Sequence, residues 1–286
     1  MSKPILILFL FVLVAQSCSQ SEELIIFSSS RNGNTDIFKM DTDGQNVVAL
    51  TTSDFEEWGP TWINAEEISF LRQTKDSILR IKLNLSTLEE SRLEHPSNCI
   101  LDDKNMLYSS QPNTYLYTCK NDIFVVDSKG STTINITAST DGFASYPSWS
   151  NDGNKVIYTS NHLGSNEVFC YDLATKAVAQ LTSSKSNNER GELSPDGQYL
   201  AYSSDASEKG NQDIILKNLK TNDQTNITNS PGMELIARFS GDGYSVYYGS
   251  NKDGNWEIYS YNIETKQSYR LTNNAGFDGD PRILKH

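Results

Sequence analysis

A fixed internal period constrains this chain more than any other feature of its sequence. Six times, at intervals of 43, 43, 45, 46 and 44 residues, a strand-like segment ends in an aliphatic residue that is usually followed by threonine. The positions are Leu50-Thr51, Leu93 (followed by Glu94), Ile136-Thr137, Leu181-Thr182, Ile227-Thr228 and Leu271-Thr272. A period in the low forties carried by β-type sequence predicts a propeller in which each blade is one four-stranded antiparallel sheet.

The rest of each unit keeps register with that anchor. Thirteen residues earlier an apolar pair marks the third strand: Ile37-Phe38, Ile123-Phe124, Val168-Phe169, Ile214-Ile215 and Ile258-Tyr259. Farther upstream, Phe27, Tyr117, Tyr158, Tyr202 and Tyr248 mark the second strand. Ahead of it, Ser150-Asn151-Asp152-Gly153, Ser194-Pro195-Asp196-Gly197 and Ser240-Gly241-Asp242-Gly243 read as tight turns. Asp-Gly supplies the positive φ that a hairpin between twisted strands needs. The unit over residues 59–93 keeps Pro60 and Trp62 but has Asn64-Ala65-Glu66-Glu67 at the turn, and the third unit lacks the Asp-Gly turn.

Leu24-Ile25-Ile26-Phe27 reads as a second strand with no first strand before it. The missing pattern recurs at Phe277 to Leu284, which repeats Phe143 to Trp149. The expected fold is therefore all-β: a six-bladed β-propeller over residues 24–286, its ring closed by the C-terminal strand joining the N-terminal blade. Closure removes two open sheet edges, which would otherwise template aggregation.

Residues 1–17 are expected to be a cleaved signal peptide. Lys3 precedes an apolar run from Pro4 to Val14, too short to span a membrane, and then Ala15-Gln16-Ser17-Cys18. A cysteine directly at the cut predicts lipidation of Cys18, with residues 18–23 as a polar tether. Five extended residues reach roughly 17 Å, which would hold the ring close to lipid. Membrane contact is expected through this anchor alone, on an exported, outer-membrane lipoprotein facing the periplasm or the cell surface.

Removing residues 1–17 takes away Lys3 and no acid, so the formal charge falls from −12 to −13. So acidic a chain has no electrostatic means of holding a phosphate backbone, and nucleic acid is excluded as a partner. Cys99 and Cys119, both in the irregular third unit, can pair in an oxidising compartment or stay as small buried thiols; Cys170 reads as structural.

The inner-strand pattern Pro147-Ser148-Trp149-Ser150-Asn151-Asp152-Gly153 and the later Asn166-Glu167-Val168-Phe169-Cys170-Tyr171-Asp172 resemble the repeats of TolB-type propellers of Gram-negative envelopes. The resemblance covers nearly all of residues 24–286. It implies an envelope protein, although the 23 residues ahead of the repeats are expected to hold a leader and not the α/β domain that precedes the TolB propeller. The same repeat type occurs in propellers attached to serine peptidases and in oligogalacturonide lyases, so fold alone does not assign a function.

Side-chain inventory bears on the enzyme alternative. The chain has three histidines, His95, His162 and His286, and no Gly-x-Ser-x-Gly. His95 and His162 lie in loops of different units and read as lone histidines. Asp41-Thr42-Asp43-Gly44 reads as a hairpin turn, because no glutamate stands at the twelfth place of a calcium loop. No catalytic residues, cofactor or metal are expected. The alternative to a non-catalytic binding scaffold is a carbohydrate-active enzyme of the oligosaccharide-lyase kind.

A binding face is expected where fourth strands lead into the next first strands. Aligned on the inner strand, Glu57, Ala144, Asn188, Glu234 and Asp278 are equivalent. Phe55, Trp58, Phe143, Tyr146, Met233 and Phe277 lie one or two places away, and Arg190, Arg238, Asp280 and Arg282 follow on the inner strands. An aromatic rim with carboxylates and arginines suits recognition of an envelope protein or glycan by a monomer. The other reading is that the aromatics staple adjacent blades and the charges pair with each other.

Overall fold

The computed structural model describes residues 23–96, 99, 106–111, 114–127, 132–138 and 141–284; the expected signal peptide, Cys18 and most of the tether, and His286, lie outside them. Among the described residues, six four-stranded antiparallel sheets follow one another in chain order. Blade 1 holds Leu24–Ser29 (β1), Asp36–Asp41 (β2) and Val48–Ala49 (β3). Blade 2 holds Glu56–Trp62 (β4), Glu67–Gln73 (β5), Ile78–Asn84 (β6) and Glu90–Leu93 (β7). Blade 3 holds Leu107–Tyr108 (β8), Tyr115–Cys119 (β9), Asp122–Val126 (β10) and Thr133–Asn135 (β11). Blade 4 is Ala144–Trp149 (β12), Lys155–Ser160 (β13), Glu167–Asp172 (β14) and Val178–Gln180 (β15). Blade 5 is Asn188–Leu193 (β16), Tyr199–Glu208 (β17), Asn211–Asn218 (β18) and Gln224–Asn226 (β19). Blade 6 is Glu234–Phe239 (β20), Ser245–Ser250 (β21), Glu257–Asn262 (β22) and Gln267–Arg270 (β23). The last strand, Asp278–Ile283 (β24), pairs with β1 from Ile25↔Ile283 to Ser29↔Asp278 and supplies the inner strand of blade 1.

The anchor threonines explain the period. In five blades the threonine after the fourth strand accepts the N–H of the first apolar residue of the third strand at 2.8–3.0 Å: Ile37, Ile123, Val168, Ile214 and Ile258. The same hydroxyl donates at 2.6–3.5 Å to the acid that opens the third strand: Asp36, Asp122, Glu167, Asp213 or Glu257. In four blades that acid also accepts a backbone N–H two residues past the threonine, from Ser53, Ser184, Ser230 or Asn274, at 2.7–3.3 Å. One threonine thus locks the third strand, the fourth strand and the start of the loop to the next blade. Hydrogen bonds to a charged acceptor are the stronger kind, and their loss inside a protein leaves a donor unpaired.

The aromatic positions face one another across the second and third strands. Phe27 lies opposite Phe38, Tyr117 opposite Phe124, Tyr158 opposite Phe169 and Tyr248 opposite Tyr259, with ring centroids 5.1–5.8 Å apart. Directly opposed aromatic pairs contribute about 0.5–1.5 kcal/mol beyond their area. Between blades, the indoles of Trp62 and Trp149 donate to the carbonyls of Arg282 and Leu107 on the preceding inner strands, at 3.0 and 2.9 Å. The Asp41–Gly44 turn closes β2 onto β3, and a Cβ at Gly44 would lie 2.6 Å from the Leu271 carbonyl oxygen.

Blade 2 departs from the pattern. Leu79 and Glu94 stand where the other blades have the acid and the threonine, and Arg80, 1% exposed, occupies the third-strand aliphatic place. Among the described residues, the adjoining seam holds the buried cluster Met106, Tyr117 and Val126, bordered by the bonded pair Cys99–Cys119 with Cα atoms 5.0 Å apart. The open choice for those cysteines thus resolves as a disulfide. Cys170 is a buried free thiol.

Two outcomes are expected. Deleting residues 277–286 removes the inner strand of blade 1, so the truncated chain should aggregate or lose its cooperative melt; a soluble truncation with a sharp transition would contradict ring closure. Thr182→Val keeps shape but removes the hydroxyl, and should cost about 1–3 kcal/mol by denaturant unfolding, whereas Thr182→Ser should cost less.

Candidate functional site

The inner strands build the channel, and they do so with strained backbone. Each of β4, β12, β16, β20 and β24 is interrupted by a register shift against its second strand. The residue two places into the equivalent position sits in the left-handed region: Gly59 at φ 62°, Tyr146 at 48°, Arg190 at 57°, Ile236 at 63° and Asp280 at 55°. A bulge bends the strand and re-aims a side chain. Only Gly59 escapes the Cβ penalty, which is about 1–2 kcal/mol for an ordinary residue, and a β-branched residue such as Ile236 is rare there. All five residues line the narrow waist of the channel with Pro147, Arg238 and Arg282, around a void of about 20 Å³.

Among the described residues, blade 3 contributes the two-residue β8 to the inner wall. Beside it the channel widens into a chamber of about 1000 Å³ whose walls include Trp62, Tyr108, Tyr115 and Trp149. The chamber reaches the turns between first and second strands, at Asn64, Gln111 and Asn151, on the face opposite the fourth-to-first loops.

Arginines dominate the waist. Arg238, 7% exposed, donates from Nη1 to the Ala237 carbonyl at 2.8 Å and pairs with Glu192 at 3.3 Å. Burial, reinforced by the neighbouring Arg282 charge, pulls its pKa down to about 9 against the opposing pull of Glu192. The Arg190 guanidinium lies 3.9 Å over the Tyr146 ring and pairs with Glu189 at 2.8 Å. Arg190, Arg238, Arg282, Tyr146 and Asp280 are therefore brought together, at the waist and not at the outer rim.

The equivalent carboxylates are placed differently from the sequence expectation. Glu57, Glu234 and Asp278 are fully buried. Glu57 accepts from Ser53 Oγ at 2.8 Å and pairs with Arg72. Glu234 accepts from Ser230 Oγ and, at 2.7 Å, from Ser250 Oγ. Asp278 pairs with Arg31 at 2.9 Å and accepts from Asn274. As display residues these three stand corrected: their hydrogen bonds run to the loops beneath the rim, and they clamp those loops. Burial raises the pKa of Glu234 and of Asp278. What the loops display includes aromatics beside exposed charges such as Asp54 and Glu56: Phe55 and Phe143 are 42% and 37% exposed, and Trp58, Met233 and Phe277 are half-buried.

The two described histidines lie apart. His95 has both ring nitrogens buried without a hydrogen-bond partner, and burial with the nearby Arg80 charge pulls its pKa down to about 4. The residue as a whole is half-buried. The His162 ring packs tilted against Phe169, centroids 4.7 Å apart, and contacts Ser160 Oγ at 3.0 Å. Among the described residues, no group of three or more His, Cys, Asp or Glu is placed to hold a metal ion. Arg80 breaks the third-strand pattern thirteen residues before Leu93, which is the one sequence signal of its place.

Glu234 offers a pH test. A carboxyl whose folded pKa is raised favours folding when protonated, so its contribution declines as pH rises from the unfolded value near 4.5 through the folded one. Glu234→Gln, which still accepts both serine hydroxyls, should therefore melt higher relative to wild type at pH 7.5 than at pH 4. Glu234→Ala should cost about 1–3 kcal/mol at both.

A family model described as the TolB beta propeller domain matches residues 194–285. The Tol-Pal system protein TolB of Francisella tularensis subsp. tularensis (strain WY96-3418) is 30% identical over 127 residues, 44% of this chain and 29% of that protein. The match thus spans under a third of the relative's length. TolB from Acinetobacter baumannii superposes with a TM-score of 0.78 at 20% identity, covering 92% of this chain and 66% of that one. A putative TolB from Agrobacterium tumefaciens gives 0.69 at 16% identity, covering 92% and 96%. At these identities the structural likeness speaks for the fold alone.

Proposed function

The chain carries a TolB-type six-bladed propeller, and from that premise we propose that it is a non-catalytic binding scaffold of the bacterial cell envelope. The observation that carries the reading is the pairing of exposed aromatics with clamped loops. Phe55 and Phe143 stand in water on the fourth-to-first face, while buried Glu57, Glu234 and Asp278 hold neighbouring loops of that face from below. Loops ordered before contact lose less entropy on binding, and aromatic anchors dominate interface energies.

The partner proposed is an envelope protein, in keeping with a relative that is named for the Tol-Pal system. The leader over residues 1–17 directs export, and lipid on Cys18 holds the ring at the outer membrane, in keeping with the apolar run that ends at Ala15-Gln16-Ser17-Cys18. The ring acts as a monomer.

Crosslinking in the native envelope, followed by capture and identification of the bound partner, tests this. Phe143→Ala, at an exposed position, should keep stability within about 0.5 kcal/mol. Phe143→Ala together with Trp58→Ala should reduce capture by about ten-fold or more, the size of an interface hot spot. Unchanged capture by the double variant, or capture of glycan alone, would overturn the protein-binding reading.

A further inference from the structure

Glu23 marks where the chain enters the ring, and it does so on one face. β1 pairs with β24 so that Ile25 lies opposite Ile283 and Ser29 opposite Asp278. In blade 4 the equivalent pairs are Val156 with Trp149, beside the turn from first to second strand, and Ser160 with Ala144, at the rim. Glu23 therefore occupies the place that Asn154 holds in the blade 4 turn, and the rim lies at the far end of β1. Its carboxylate accepts the Gly241 N–H of the neighbouring blade 6 turn, where a Cβ would come within 2.7 Å of the same oxygen. That bond fastens the root of the tether to the turn face. In the same turn Tyr244 is 54% exposed.

Tether length limits which surface can meet the lipid. Five residues, 18–22, precede Glu23, and from Cys18 to Glu23 the extended chain reaches roughly 17 Å. The six residues of β1 alone cover about 20 Å, and the rim loops lie past its end. A ring standing on its rim would thus hold Glu23 farther from the lipid than the tether can reach. The turn face meets no such limit.

We propose that the face carrying the first-to-second turns is the membrane-apposed face, held against the lipid surface by the tether, with the rim of Phe55 and Phe143 turned away from it. The proposal rests on the reading of Cys18 as the lipid anchor. Tyr244, amphipathic and exposed beside the tether root, suits the headgroup level. Asp152, Asp196 and Asp242 on the turns keep the face in water, since charge is costly within the bilayer, so it abuts the headgroups without inserting. The chamber opens on the same face and looks onto lipid.

The test takes the full chain from membranes and reconstitutes it in phosphatidylethanolamine–phosphatidylglycerol vesicles that carry an energy acceptor at their surface. A donor dye is attached to one introduced cysteine; Cys170 is buried and Cys99 is bonded to Cys119. Transfer should be several-fold stronger from Tyr244→Cys and Gln198→Cys, on the turns, than from Phe143→Cys and Leu163→Cys, on the rim side. A long Gly-Ser insertion after Ser21 should erase the difference, because a flexible linker frees the ring to tumble. Mass spectrometry of the same samples reads the acyl group. A chain without one on Cys18 would overturn the anchor reading and this proposal with it. An acylated chain with equal transfer from the two faces, or stronger transfer from the rim, would overturn the orientation and leave the anchor standing. A difference that survives the insertion would show that the tether does not set it, and would overturn the proposal as well.

Discussion

The hydrogen-bonded clasp between each anchor threonine and the acid opening its third strand is the interaction on which the rest of the ring depends. It converts a repeated dipeptide into a fixed geometry: the threonine hydroxyl accepts from the third strand, donates to the acid, and leaves the acid free to accept from the outgoing loop. A propeller blade gains most of its apolar burial from its neighbours. The loop that sets the next blade's position must therefore be held at its root, and in four blades the clasp does that.

Strain in the inner strands follows from the same architecture. With the outer strands and loops locked, left-handed residues persist in five equivalent positions, four of them occupied by Tyr146, Arg190, Ile236 and Asp280 in place of glycine. Such outliers survive only where the surroundings over-determine the backbone. Here they concentrate three arginines at the narrowest part of the channel, and β8 lines the chamber beside it. Blade 2, which lacks the clasp, borders that chamber, and the Cys99–Cys119 bond lies in the same seam.

Much of the fold was legible because period and turn chemistry speak directly. The spacing of Leu50-Thr51 and its repeats located the blades, and the match of Phe277–Leu284 to Phe143–Trp149 predicted the closing strand. The rim was less legible. Alignment placed Glu57, Glu234 and Asp278 at one equivalent position, but a charged residue is ordinarily exposed, and nothing local announces that Ser53, Ser230 and Arg31 would draw these inward. The bulges left no trace either, since left-handed backbone is usually signalled by glycine and here only Gly59 obliges. Arg80 was readable as a break in the repeat, though not its burial.

Native-state amide exchange tests the clasp most directly, because it reads the opening free energy of single N–H groups. If the threonine clasp holds the ring, the amides of Ile37, Ile123, Val168, Ile214 and Ile258 exchange only through openings close in free energy to global unfolding, and those of Ser53, Ser184, Ser230 and Asn274 exchange more slowly than exposed loop amides. Rapid exchange of the five third-strand amides through small local fluctuations, while the adjacent second strands stay protected, would show that the clasp is incidental and that packing alone sustains the blades.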